Sequence, residues 1–121
     1  MRRFLAFRTT KLKAAGITSQ QYQAMLVIRV HPGQIVMIGD LAREMLLRPN
    51  GAVQLTDRLV NAGLAARQQS STDRRSVFVA LTTKGARLLE TLATDHLQGM
   101  LQQERLLVES LQRLRHLGRS R

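Results

Sequence analysis

Over most of the chain, apolar residues recur every three or four positions, the spacing of a buried helix face. At the start, Phe4, Leu5 and Leu12 form a weak stripe that Gly16 ends. The stripe is clearer in GITSQQYQAMLVIRVHPG, where Tyr22, Met25, Leu26 and Ile28 follow Thr18 and Gln21. The Thr18–Gln21 spacing fits a capping box, and Pro32-Gly33 stops the run. The short stretch QIVM leads into IGDLAREML, where Ile38, Leu41, Ala42 and Met45 predict a third, short helix. A fourth is predicted to begin at Pro49, because proline is tolerated at the first helical position and pushes the residue before it out of helical geometry. It runs to Gly63, with Ala52, Leu55, Leu59 and Val60 on its apolar side and Asn50, Gly51, Gln54, Asp57, Arg58 and Asn61 on the remaining surface.

Two short runs then read as strands, LAARQQ (64–69) and SVFVAL (76–81). Thr82 is predicted to cap a long last helix whose broad apolar face includes Leu88, Leu89, Leu92, Leu97, Met100, Leu101, Leu107, Val108, Leu111 and Leu114. Gly99 stands in the middle of it, costs about 1 kcal/mol relative to alanine, and invites a kink or a division into two helices there. Two short helices joined by a brief turn and followed by a β-hairpin have the layout of a winged helix-turn-helix. The expected fold is therefore mainly α with a small β-hairpin wing, an α+β arrangement, in one domain of 1–121. Within it, 18–82 is the winged helix-turn-helix core, and 1–17 and 83–117 are terminal helices available for dimerisation.

Charge changes this picture from a layout into a partner. The 121 residues carry 19 Lys and Arg against 8 Asp and Glu, a formal net charge of +11, and no acid precedes Asp40. Such a balance predicts a polyanion. No apolar run approaches the roughly 20 residues of a membrane span, so no membrane partner is expected. MRRFLAFRTTKLKAA lacks the apolar core of a signal peptide, since Arg8, Lys11 and Lys13 interrupt it. The absence of cysteine excludes disulfides and thiolate metal sites and suits a reducing cytoplasm. His31, His96 and His116 are too scattered for a metal site, and no cofactor is expected. No phosphate-binding glycine loop, nucleophile elbow or carboxylate–histidine pairing suggests an enzyme.

The fourth helix supplies chemistry suited to the major groove. Asn50 and Gln54 have the geometry to pair bidentately with adenine and Arg58 with guanine, with Gly51 beside them. Arg48 and the helix N-terminus suit a phosphate. Between the strands, STDRRS places an acid and two arginines at a hairpin tip that lacks the short Asn-Gly or Asp-Gly turn of simple chain reversal.

The string LAREMLLRPNGAVQLTDRLVNAGLAARQQSSTDRRSVFVALTTKG resembles the DNA-binding core of the multiple-antibiotic-resistance regulator (MarR) family. Its tokens occur in family order: Leu41-Ala42, Asp57-Arg58-Leu59, Gly63-Leu64, Asp73-x-Arg75 and Leu81-Thr82-x-x-Gly85, with GITSQQYQAML matching upstream. The resemblance covers about residues 16 to 90. It implies a homodimeric, sequence-specific transcriptional regulator on a pseudo-palindromic DNA operator, usually a repressor and often released by a small molecule.

In proteins of this pattern the wing lies along the minor groove, where an arginine benefits from the negative potential of narrow A·T tracts. Arg75 would take that place, oriented by Asp73, with Arg74 toward phosphate. Leu97, Met100, Leu101, Leu107 and Leu111 would pair with the same helix of a second subunit, helped by Phe4 on the first helix. Tyr22, Met25, Arg29 and His31 would line a pocket for a small aromatic or anionic effector or else serve in core packing and ordinary surface, and the segment before GITSQQ is short for the helix that normally walls such a pocket. The alternative is a protein-interaction module on the same scaffold, without sequence-specific DNA binding. The basic wing and the groove-facing Gln54 and Arg58 favour DNA.

Overall fold

A computed structural model of the chain describes residues 11–73 and 76–119. Phe4, Arg74 and Arg75 lie outside them. Residues 11–14 form the described part of helix α1, which ends at Gly16 with φ +76°. Helix α2 (Ser19–Val30) starts with the expected capping box: Gln21 N–H donates to Thr18 Oγ1 at 3.1 Å, and Thr18 N–H donates to Gln21 Oε1 at 2.7 Å. A 3₁₀ turn (Pro32–Gln34) follows, with Gly33 at φ +74°.

Strand β1 (Ile35–Met37) is not among the strands expected from sequence. It pairs antiparallel with β3 (Val77–Leu81), and β3 pairs antiparallel with β2 (Ala65–Gln69), giving a three-stranded sheet of order β1-β3-β2. In register, Val36 faces Val79 and Ala65 faces Leu81. Val36, Val79 and Ala65 are buried and turn one face of the sheet into the core. Helix α3 (Ile38–Glu44) and helix α4 (Pro49–Asn61) form the two-helix unit. Their core contacts include Leu41, Leu55 and Leu59, packed with Met25 and Ile28 of α2.

Helix α5 (Thr83–Arg119) runs unbroken through Gly99. One glycine costs about 1 kcal/mol, less than the good helix formers on either side recover, so neither a kink nor a break is needed. The helix serves two surroundings. Gly85, Leu89 and Leu92 are buried against the rest of the chain, whereas Leu97, Met100, Leu101, Leu107, Leu111, Leu114 and Leu117 are 45–68% exposed. No helix of the described residues is long and apolar enough to cross a membrane.

Candidate nucleic-acid interface

The chain enters α4 through the extended Arg48 (φ −68°, ψ 154°), whose carbonyl accepts from Ala52 N–H at 3.1 Å. Pro49 occupies the first helical position, where its missing N–H loses nothing. Ala52, Leu55, Thr56 and Leu59 are buried and fix the rotation of the helix about its axis. Thr56 stays satisfied at that depth because its hydroxyl donates to Ala52 O at 2.8 Å. With this face seated, Asn50, Gln54 and Arg58 are exposed together, with Gly51 half-buried beside them. Arg48 is exposed at the entry.

Both ends of α4 are secured. Gly63 follows it at φ +75°, and Leu64 N–H returns to Leu59 O at 2.9 Å. That left-handed step is one glycine adopts without steric cost. Three groups from the start of α5 then meet this corner. Thr82 Oγ1 donates to Gly63 O at 2.7 Å, Thr82 N–H donates to Leu64 O at 3.0 Å, and Lys84 Nζ donates to Ala62 O at 3.3 Å. Thr82 Oγ1 also accepts from Gly85 N–H at 3.1 Å, the helix cap expected of it. Gly85 is packed so closely that a Cβ there would stand 2.0 Å from Leu64 O.

On its wing side, α4 is tied to β2 by an ion pair between Asp57 and Arg67. Neither Arg67 nor Lys84 was singled out by sequence reasoning. No local signal marks Arg67, because its pairing with Asp57 depends on where β2 returns along α4. At the wing tip, Ser70 N–H donates to Ser76 O at 3.0 Å and Ser70 Oγ accepts from both Thr72 and Asp73 N–H at 3.3 Å. Asp73 Oδ2 accepts from Ser76 Oγ at 3.1 Å. The loop that bears Arg74 and Arg75 is thus closed at its base, while those two arginines themselves are outside the described residues.

The residues expected around an effector are distributed between core and surface. Met25 is completely buried in the core, its helix face held against α4 and the sheet. Tyr22 is buried as well, and its hydroxyl is 3.1 Å from His96 Nδ1 of α5, with ring centroids 5.8 Å apart. Arg29 lies half-exposed, 3.6 Å from Glu90 of α5, and donates to Gln34 Oε1 at 2.6 Å. His31 ends α2, with its Nδ1 shielded and unbonded among the described residues. Tyr22 and Arg29 therefore share the seam between α2 and α5.

The family model of the MarR family matches residues 15–76, from the end of α1 to the wing. The chain belongs to the MarR family. It is 32% identical over 110 residues to the uncharacterized HTH-type transcriptional regulator YhbI of Bacillus subtilis, covering 90% of this chain and 70% of that one. It is 27% identical over 95 residues to the transcriptional repressor MprA of Escherichia coli, covering 78% of this chain and 54% of MprA, so it spans only about half the length of that relative. The crystal structure of NadR in complex with 4-hydroxyphenylacetate superposes with a TM-score of 0.74 at 27% identity, covering 96% of this chain and 81% of NadR. As a member of this family the chain is a DNA-binding transcriptional regulator of the winged-helix type.

Proposed function

We propose that this MarR-family regulator is a homodimeric repressor that occupies a pseudo-palindromic duplex and leaves it when a small aromatic or anionic molecule binds. The carrying observation is the division of α4. Four buried residues seat it, while Asn50, Gln54 and Arg58 point together into solvent with donor and acceptor patterns that match base edges. Arg48, with the start of α4, and Arg74 take phosphates, while Arg75, oriented by Asp73, takes the flanking minor groove. The distal half of α5 joins two subunits. Its leucines at 45–68% exposure form a face too apolar to be left to water. Release by an effector acts at the seam of Tyr22, Arg29 and His31, with Met25 beneath them. MprA is named a repressor and NadR is solved with an aromatic acid, which supports the repressor and effector parts of the reading.

The test is enrichment of duplexes from a randomised library, then fluorescence anisotropy on the winner across salt. The expected product is an inverted repeat with half-site centres about 34 Å apart, bound by a dimer. Affinity should fall steeply, by more than about tenfold, between 50 and 200 mM salt as counterions are released. Salt-independent binding, or a monomer in sedimentation that still binds tightly, refutes the proposal.

A further inference from the structure

Val53 interrupts the polar surface of α4. It is 41% exposed, whereas Val60 on the same helix packs partly buried against the core. The core does not hold Val53 in place, since Ala52, Leu55, Thr56 and Leu59 already seat the helix. Nor does helix formation favour it, because a β-branched residue is a poorer helix former than alanine. Val53 follows Asn50 by three positions and precedes Asp57 by four, so the three line one ridge, with Gln54 alongside. Asp57 is occupied by Arg67, which leaves Asn50, Val53 and Gln54 as the outward chemistry of this part of the helix.

The only apolar group that a base edge presents in the major groove is the C5-methyl of thymine. We propose that Val53 reads a thymine methyl, with Asn50 and Gln54 addressing adenine beside it, so that the core of each half-site is A·T rather than G·C. Arg58, the guanidinium suited to guanine, stands one turn beyond Gln54, so a G·C pair belongs beside this A·T core and not within it. The inference rests on the assignment of α4 to the major groove and deepens it by naming the base class that its central contact selects.

Deoxyuridine differs from thymidine only by that methyl, so a substitution scan isolates the contact. Each thymine of the library-selected duplex is replaced by deoxyuridine, symmetrically in both half-sites, and affinity is read by anisotropy at fixed salt. One thymine per half-site is expected to matter, by about fourfold per half-site and about 15-fold for both, the effect of removing one methyl's burial. Val53→Ala should abolish the difference between thymine and deoxyuridine at that position, and Val53→Thr, which keeps one γ-methyl and the same shape, should retain part of it. Alanine at an exposed helix site preserves the fold, which a thermal melt verifies. The scan is blind to the wing, because the C5-methyl lies in the major groove. Tight binding to the selected duplex with no deoxyuridine-sensitive thymine overturns the inference and leaves the groove assignment standing, as does a sensitivity that survives Val53→Ala. A library that yields no preferred sequence overturns both.

Discussion

Replacing Gly85 with alanine loads the joint between the reading helix and the long helix. The new Cβ would stand 2.0 Å from Leu64 O, 2.9 Å from its carbonyl carbon and 3.1 Å from its Cα, all backbone atoms that no rotamer change can move aside. An ordinary carbon–oxygen contact is about 3.3 Å or more, so the two segments must separate by roughly 1.3 Å. Thr82 N–H to Leu64 O starts at 3.0 Å and Lys84 Nζ to Ala62 O at 3.3 Å, and a movement of that size takes both past hydrogen-bonding range. Thr82 Oγ1 to Gly63 O, at 2.7 Å, is stretched with them.

Overpacking costs about 1–3 kcal/mol and each hydrogen bond about 1 kcal/mol, while alanine's better helix propensity returns somewhat less than 1 kcal/mol, so the net destabilisation is roughly 3 kcal/mol. For a chain of 121 residues this corresponds to a Tm lowered by roughly 12 °C. Circular dichroism melts of the two proteins at one fixed concentration measure it, fixed because the Tm of a protein that self-associates depends on concentration. A Tm within about 2 °C of the parent would refute the close approach and, with it, the view that α5 is anchored on the corner after α4.

Two further substitutions probe single backbone positions. Leu46 adopts φ 55° in the turn between α3 and α4 and is 93% exposed, so Leu46→Gly relieves left-handed strain and uncovers nothing; stability should rise by about 1 kcal/mol, and a lower Tm would mean the leucine is packed in the assembled protein. Gly99→Ala meets no atom within 4 Å in the chain and should raise Tm by roughly 4 °C, whereas a fall would mean that a second helix crosses α5 within a methyl's width of Gly99.

The elements legible in the sequence were those fixed by neighbours in the chain. Thr18 and Gln21 are three residues apart and cap each other whatever the tertiary structure, and Pro49 acts only on its own turn. The apolar period of 52, 55 and 59 located the outward arc of α4 for the same reason. Strand β1 was not legible, because three residues show no period and their partner β3 lies some forty positions on. The Asp57–Arg67 pair and the packing of Gly85 on Leu64 were hidden likewise: each depends on where the strands bring the chain back. At Gly99 the sequence shows a local cost that leaves a break open, and the length of helix on either side decides for continuity.

These long-range contacts decide what α4 can do mechanically. Its exit is clasped by Thr82 and Lys84, and its middle is pinned to β2 through Arg67. Strand β2 in turn carries the wing and pairs with β3, which runs directly into α5. Helix α4, the wing and the first turns of α5 are thereby tied into one block. A small change in the direction of α5 is therefore passed to the whole block as a rotation rather than absorbed by a loop. Among the described residues, Tyr22 with His96 and Arg29 with Glu90 help to hold α2 against α5 beyond the block. On the proposed reading, an effector that parts them would alter the angle at which α5 leaves the core. In a two-fold assembly any such change is applied twice, with opposite sense, so the separation of the two reading helices changes by double the displacement of either one. If the proposed dimer spans successive major grooves about 34 Å apart, that doubling would make the fit of both helices sensitive to a small shift at the seam.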